Sequence, residues 1–241
     1  MDGATEYYSA VAAQFHQSYA ADPNRLERLA VWRRFLDRYA PGCRTAYDIG
    51  CGSGVITQEL ALRVGHVTAI DGAAGMLAIA RATLQNGGHR NVEFREAQLP
   101  LADVGDLKPA DIAISSSAIE YMESIPEALA FASRLLVGGG ILIFSVSNRA
   151  SVSRKLARLL HRLTGRPRYL AFLRHFLTPD ELKLQLPAAH LRDIEHLYFG
   201  GADPLNRFLA RLLPPARANN MILMVARKEG QPGSQSAFRP D

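Results

Sequence analysis

Only two thiols occur in the 241 residues, Cys43 and Cys51, so there is no C-x-x-C pair and no disulfide framework. The seven histidines form no H-x-x-x-H pair, and the ligand spacing of a zinc site is missing with it. No apolar run reaches the roughly 18–20 residues that a bilayer span needs. The first eight residues are polar and acidic, unlike a secretory leader. A reduced, cytoplasmic protein without metal is the expectation. The G-x-G-x-x-G of a dinucleotide site is absent, which disfavours a nicotinamide enzyme. A basic platform interleaved with aromatics is absent as well, and this disfavours nucleic acid as a partner.

What remains is an ordinary globular composition, 48% hydrophobic and 21% charged, with a net charge of +5. That fits one α/β domain with a small addition. Residues 5–40 read as two helices broken at Ala21-Asp22-Pro23-Asn24. Short apolar runs at 45–47, 67–70, 92–95, 111–115 and 141–146 read as strands, and helical spacing fills 55–63, 75–84 and 126–136. Gly138-Gly139-Gly140 reads as the stop of the last of these helices. Thr178-Pro179-Asp180-Glu181 opens another helix, with an N-cap, a proline and acids in the first turn. Residues 191–199 and 221–228 read as closing strands, with a short helix at 204–213 between them, and 229–241 as a disordered tail.

The densest signal is Tyr47-Asp48-Ile49-Gly50-Cys51-Gly52-Ser53-Gly54, with Asp71 seventeen residues after Gly54. The order is strand, glycine-rich turn, helix, strand, acid, a βαβ unit that holds a nucleoside at the carboxyl ends of its strands. Glycines serve where backbone approaches a ligand. A carboxylate ending the second strand can accept two hydrogen bonds from a ribose diol. Asp48 leads the turn and no base lies in it, which favours a cationic aminoacyl nucleoside over an anionic diphosphate.

This stretch resembles motif I of the class I S-adenosylmethionine-dependent methyltransferases. The resemblance implies a Rossmann-like fold with a seven-stranded, mostly parallel sheet whose last strand is antiparallel. It further implies a helical N-terminal lid (1–40), a methyltransferase domain (41–228) and a basic helical insertion after strand five (149–177). S-adenosylmethionine is the implied cofactor, bound by Asp48, Gly50, Cys51, Gly52, Gly54, Asp71, Gly72 and Met76. The segment after strand three adds Glu96, Ala97 and Gln98, and the one after strand four adds Ser116. Phe144-Ser145-Val146-Ser147-Asn148-Arg149 is similar to the strand-five end of ubiquinone-biosynthesis O-methyltransferases and of enzymes from surface-glycan clusters. O-methylation of a lipid-linked, quinone-like or sugar acceptor is the implied reaction. N-methylation of an amine, or a silent cofactor-binding subunit, stands beside it.

Methyl transfer from a sulfonium mainly requires alignment and exclusion of water. A base is needed only where the acceptor is a hydroxyl. His16 on the lid, Glu120 after strand four and His175 at the end of the insertion are the candidates. The insertion carries eight cations and no acid over residues 149–175, interleaved with leucines. A basic amphipathic element of this kind suits an anionic membrane surface or a lipid-linked substrate, and hence the inner face of a membrane.

Overall fold

The computed structural model describes residues 2–101 and 105–230. Three helices, not two, come first: α1 (Asp2–Ala10), α2 (Ala12–Ser18) and α3 (Pro23–Tyr39). The chain bends at Val11 (φ −103°, ψ 8°), which brings Tyr8 before the bend and Phe15 after it within 6.1 Å of each other. α3 starts where its sequence dictates. The Asp22 carboxylate accepts from the N–H groups of Asn24 and Arg25 (2.9 and 3.1 Å), and Pro23 opens the first turn.

Seven strands follow: β1 (Thr45–Ile49), β2 (His66–Asp71), β3 (Val92–Glu96), β4 (Ala110–Ser116), β5 (Leu136–Ser147), β6 (Leu191–Phe199) and β7 (Met221–Lys228). Their order in the sheet is β3-β2-β1-β4-β5-β7-β6, with β7 antiparallel to both of its neighbours and the remaining pairs parallel. The helices between them are α4 (Val55–Ala61), α5 (Ala74–Asn86), α6 (Ile125–Arg134), α7 (Val152–Thr164), α8 (Pro179–Gln185), α9 (Pro204–Leu209) and α10 (Pro215–Ala218). Alternation along the strands divides the interior into two cores. Leu142, Phe144, Ile222 and Met224 face α6 and α8, where Phe131 and Leu182 are buried. Ile141, Ile143, Leu223 and Val225 face α3 and α4, where Trp32, Leu36 and Leu60 are buried. β1 lies between β2 and β4, so the chain leaves it to build both halves of the sheet. A ligand crevice is expected at the carboxyl end of that switch point.

Three expectations are corrected. Gly138-Gly139-Gly140 does not stop α6; it lies inside β5, where the pairing with β4 shifts register between Ala110 and Ile112. Gly139 has φ +83°, and a Cβ on Gly140 would come within 3.1 Å of the Asp111 carbonyl oxygen. A bulge at this close approach, not a helix end, requires the glycines. The basic insertion is helical only in part. α7 ends at Gly165 (φ +69°), and after a single 3-10 turn at Arg168–Ala171 the chain runs irregularly to Leu177. α8 then opens on a complete capping box between Thr178 and Glu181. The segment 204–213, read as one helix, holds α9, and α10 follows it. Most of the tail, 231–241, lies outside the described residues, while the Glu229 N–H still donates to the His190 carbonyl oxygen (2.9 Å).

Candidate active site

The glycine turn folds back on the end of β2: the N–H groups of Gly50 and Cys51 both donate to the Ile70 carbonyl oxygen (2.7 and 3.1 Å). Gly50 has φ +73°, and a Cβ there would sit 2.1 Å from the Ala118 Cβ, so the turn and the loop after β4 touch backbone to side chain. Gly52, by contrast, faces open space, with nothing within 4 Å of a Cβ built on it. That loop is itself strained, because Ser117 holds φ +59°.

Three acids near the turn and the loop after β4 differ in their surroundings. The Asp71 carboxylate accepts from the Gly52 N–H and the Ala73 N–H (both 2.8 Å). Burial raises its pKa, and these N–H groups oppose the rise. Asp48 sits beneath the turn at 1% exposure, where its Oδ2 accepts from the Thr57 hydroxyl (2.7 Å) and its Oδ1 has no partner. Burial pushes its pKa up to about 7, the Thr57 bond pulls down, and the Asp71 charge adds to the rise. Glu120, at 2% exposure, accepts from the Ser147 N–H through Oε2. Burial raises its pKa, against the pull of Arg154, Ser147 and Arg28.

One cavity of about 570 Å³ runs from this turn to the N-terminal helices. At one end its wall carries Gly50, Gly52, Asp71, Gly72, Met76 and Ser116; the hydroxyl of Ser116 is buried without a partner. The other end is walled by Phe15, Arg28, Glu120, Tyr121, Arg154 and Asn220, among others. The N-terminal helices form part of its wall. Tyr8 and Tyr121 share a hydrogen bond between their hydroxyls (2.6 Å), and a Cβ on Gly75 would meet the Ser9 carbonyl oxygen at 2.5 Å, so α1 docks directly on the start of α5. Arg25 stacks over the Phe15 ring at 4.1 Å.

Residues 47–144 match the family model described as a methyltransferase domain. The matched segment, which holds the glycine turn and Asp71, is thus similar to a methyltransferase domain. It is 35% identical over 128 residues to the malonyl-[acyl-carrier protein] O-methyltransferase of Pectobacterium atrosepticum, covering 53% of this chain and 48% of that one. It is 28% identical over 155 residues to the ubiquinone biosynthesis O-methyltransferase of a Ruegeria species, covering 63% and 62%. The match thus spans about half to two thirds of these relatives. Magnesium protoporphyrin IX methyltransferase of Synechocystis, solved with bound S-adenosylhomocysteine, shares the fold with a TM-score of 0.68 at 14% identity, over 93% of this chain and 97% of that one.

In this chain the expected residues stand in four different surroundings. Gly50, Gly52, Asp71, Gly72, Met76 and Ser116 stand on the cavity wall together with Glu120. Asp48, Cys51 and Gly54 lie behind the turn; a Cβ on Gly54 would press on Ala80 and Leu84 of α5 at 2.9 Å, so this glycine serves packing. Burial lifts the Cys51 thiol well above its usual range. Glu96 is exposed, and Ala97 and Gln98 stand against Gly72 without reaching the wall, which Leu99 supplies instead. The cause is local: β3 ends at Glu96, and the Ala97 N–H is tied to the Asp71 carbonyl oxygen (3.0 Å). Neither candidate histidine stands on the wall. His16 has a buried Nδ1 with no partner, and His175 donates from Nε2 to the Met122 carbonyl oxygen (3.0 Å), tying the insertion to the loop after β4.

Arginines are what the sequence reading missed. Arg28 on α3 lines the cavity and makes no hydrogen bond or ion pair among the described residues; burial lowers its pKa. Arg154 of α7 turns inward, and its guanidinium reaches the Tyr169 hydroxyl (2.6 Å), the Asn220 carbonyl oxygen (3.4 Å) and the Met221 sulfur (3.2 Å). A spacing of three residues between Arg25 and Arg28 was the available signal for one shared helix face. Among the described residues no cluster of His, Cys, Asp and Glu could hold a metal, and no helix is long and apolar enough to cross a membrane.

Proposed function

We propose that this chain is an S-adenosylmethionine-dependent methyltransferase that O-methylates a small hydroxyl-bearing acceptor of lipid-linked, quinone-like or sugar type. The observation that carries the reading is a buried carboxylate, Glu120, on the wall of the same cavity as the glycine turn and Asp71. Both curated relatives described above bear O-methyltransferase names.

When bound, S-adenosylmethionine supplies a methyl group activated on a cationic sulfur, which becomes a neutral thioether as the methyl leaves. Asp71 is assigned to the ribose hydroxyls, and the backbone of Gly50 and Gly52 leaves room for the chain of the methionine moiety. Gly72, Met76 and Ser116 complete that end. Arg28, the guanidinium without a partner, is assigned to the methionine carboxylate. Glu120 takes the proton of the acceptor hydroxyl as the oxygen–methyl bond forms. Burial raises its pKa, which makes it a stronger base than an exposed carboxylate. Tyr8 and Tyr121 close the lid and exclude water.

The test uses methyl-labelled S-adenosylmethionine with phenolic, sugar and lipid-extract acceptors. Label in a base-stable O-methyl ether, and a Glu120→Gln variant that loses kcat while keeping its affinity for S-adenosylhomocysteine, are the expected results. Label confined to amines would contradict the reading.

The outer face of α7 adds a second element. Leu156, Leu159, Leu160 and Leu163 are 49–77% exposed at helical spacing, flanked by Lys155 and Arg162. We assign this face to an anionic membrane surface, where a lipid-linked acceptor would be met. Pelleting with phosphatidylglycerol vesicles at low salt should be lost in a Lys155→Glu, Leu159→Glu, Leu163→Glu variant. Equal pelleting of that variant would sink this assignment.

A further inference from the structure

The acceptor end of the cavity holds more positive charge than its own acids can neutralise. Three guanidiniums, those of Arg25, Arg28 and Arg154, stand on one wall, and none forms an ion pair with a carboxylate among the described residues. Three acids share the wall, equal in number to the guanidiniums, but two of them do not face Arg28 or Arg154. Asp71 is held by N–H groups at the cofactor end, and Asp22 caps α3 through the N–H groups of Asn24 and Arg25. Glu120 alone of the three faces Arg28 and Arg154, and it is already hydrogen-bonded to the Ser147 N–H. Bound cofactor deepens the surplus, since its carboxylate offsets one cation while its ammonium and sulfonium bring two more.

A cavity walled by low-dielectric rings raises the cost of such a surplus and the gain from an anion that relieves it. Phe15, Tyr121 and Tyr169 supply those rings. Arg154 is the group best placed to receive the anion. Three of its five N–H groups reach the Tyr169 hydroxyl, the Asn220 carbonyl oxygen and the Met221 sulfur, all uncharged, which fixes the guanidinium and leaves two N–H groups without partners among the described residues. A guanidinium fixed on neutral partners is pre-organised for the two oxygens of a carboxylate or phosphate.

We propose that the methyl acceptor is an anion, a small aromatic or similarly flat carboxylate or phosphate, whose oxygens seat on Arg154 of the insertion with Arg25 at the mouth. The inference rests on the methyltransferase reading of the same cavity. It gives the insertion a specificity role: α7 faces outward with its leucines and inward with Arg154.

The experiment titrates benzoate, phenyl phosphate and the neutral benzyl alcohol into the S-adenosylhomocysteine complex by calorimetry. In wild type at least one anion binds about tenfold or more tighter than benzyl alcohol, and the tighter of the two anions identifies the group as carboxylate or phosphate. Arg154→Gln reduces that preference by roughly ten- to a hundredfold, as expected for a lost charge-assisted pair, while Arg154→Lys restores part of it and both keep wild-type affinity for S-adenosylhomocysteine. If Arg154→Gln does not fold, Arg25→Gln carries the test, with a smaller loss of preference expected. Benzyl alcohol binding as well as both anions, or an anion preference that survives the arginine substitutions, would overturn the proposal and leave the methyltransferase reading standing. Failure of wild type to bind S-adenosylhomocysteine would remove both.

Discussion

Asp48 offers the sharpest link between the turn's architecture and a solution measurement. Its carboxyl is 1% exposed, Oδ1 has no partner, and its pKa stands at about 7 against 3.8 for a free side chain. In the unfolded chain Asp48 ionises near pH 4, whereas in the folded protein it keeps its proton until about pH 7. The group therefore contributes its full stability below pH 4 and loses it as pH rises to about 7. At about 1.4 kcal/mol per pH unit the loss is roughly 4 kcal/mol. Asp48→Asn cannot ionise, so its stability lacks this slope. The amide can still accept from Thr57, but its N–H₂ falls where Oδ1 already lacks a partner, at a pH-independent cost of about 1–3 kcal/mol. Urea melts between pH 4 and 8 should show the two curves crossing: wild type more stable at pH 4, the variant more stable at pH 8. A difference that stays flat across that range would mean that Asp48 is ionised in the folded protein, and the account of the turn's electrostatics would fail.

Gly50→Ala places a methyl 2.1 Å from the Ala118 Cβ at a positive φ, so it should cost roughly 2 kcal/mol or more and push the Ser117 loop into the cavity. Calorimetry should show cofactor affinity falling more than about tenfold, and unchanged affinity would contradict the contact. Tyr8→Phe removes the 2.6 Å phenol pair and leaves the Tyr121 hydroxyl without it, weakening lid closure by about 1–2 kcal/mol. Amide exchange in α1 and α2 should quicken while that of β4 and β5 does not; uniform protection in both would remove Tyr8 as a latch. Thr178→Ala breaks the capping box of α8 and should lower stability by about 1 kcal/mol, read as a shift in the urea midpoint at constant slope.

The cofactor end of the cavity was legible because its constraints are local. Gly50, Gly52 and Asp71 are fixed by a turn and two adjacent strands, and each residue type there answers a need of the backbone or of a ligand. The sheet was legible for the same reason, since short apolar runs alternate with helical spacing. The acceptor end was legible only at Glu120. Arg28, Arg154 and Asn220 come from three further segments that meet it only through packing. Arg154 read as one more cation on a basic face, and nothing in its neighbours distinguishes the inward arginine from Lys155 beside it. The triple glycine misled because a glycine after a helix signals both a stop and a bulge in the following strand. Glu96 misled because it is the last residue of β3 and its side chain is exposed there.

The central claim is that the turn, with Asp71, binds S-adenosylmethionine. Calorimetric titration of S-adenosylmethionine and S-adenosylhomocysteine into wild type and Asp71→Ala tests it directly. The account predicts micromolar binding by wild type and its loss in the variant, with the melting temperature of the unliganded variant close to that of wild type. Equal binding by both proteins would contradict it.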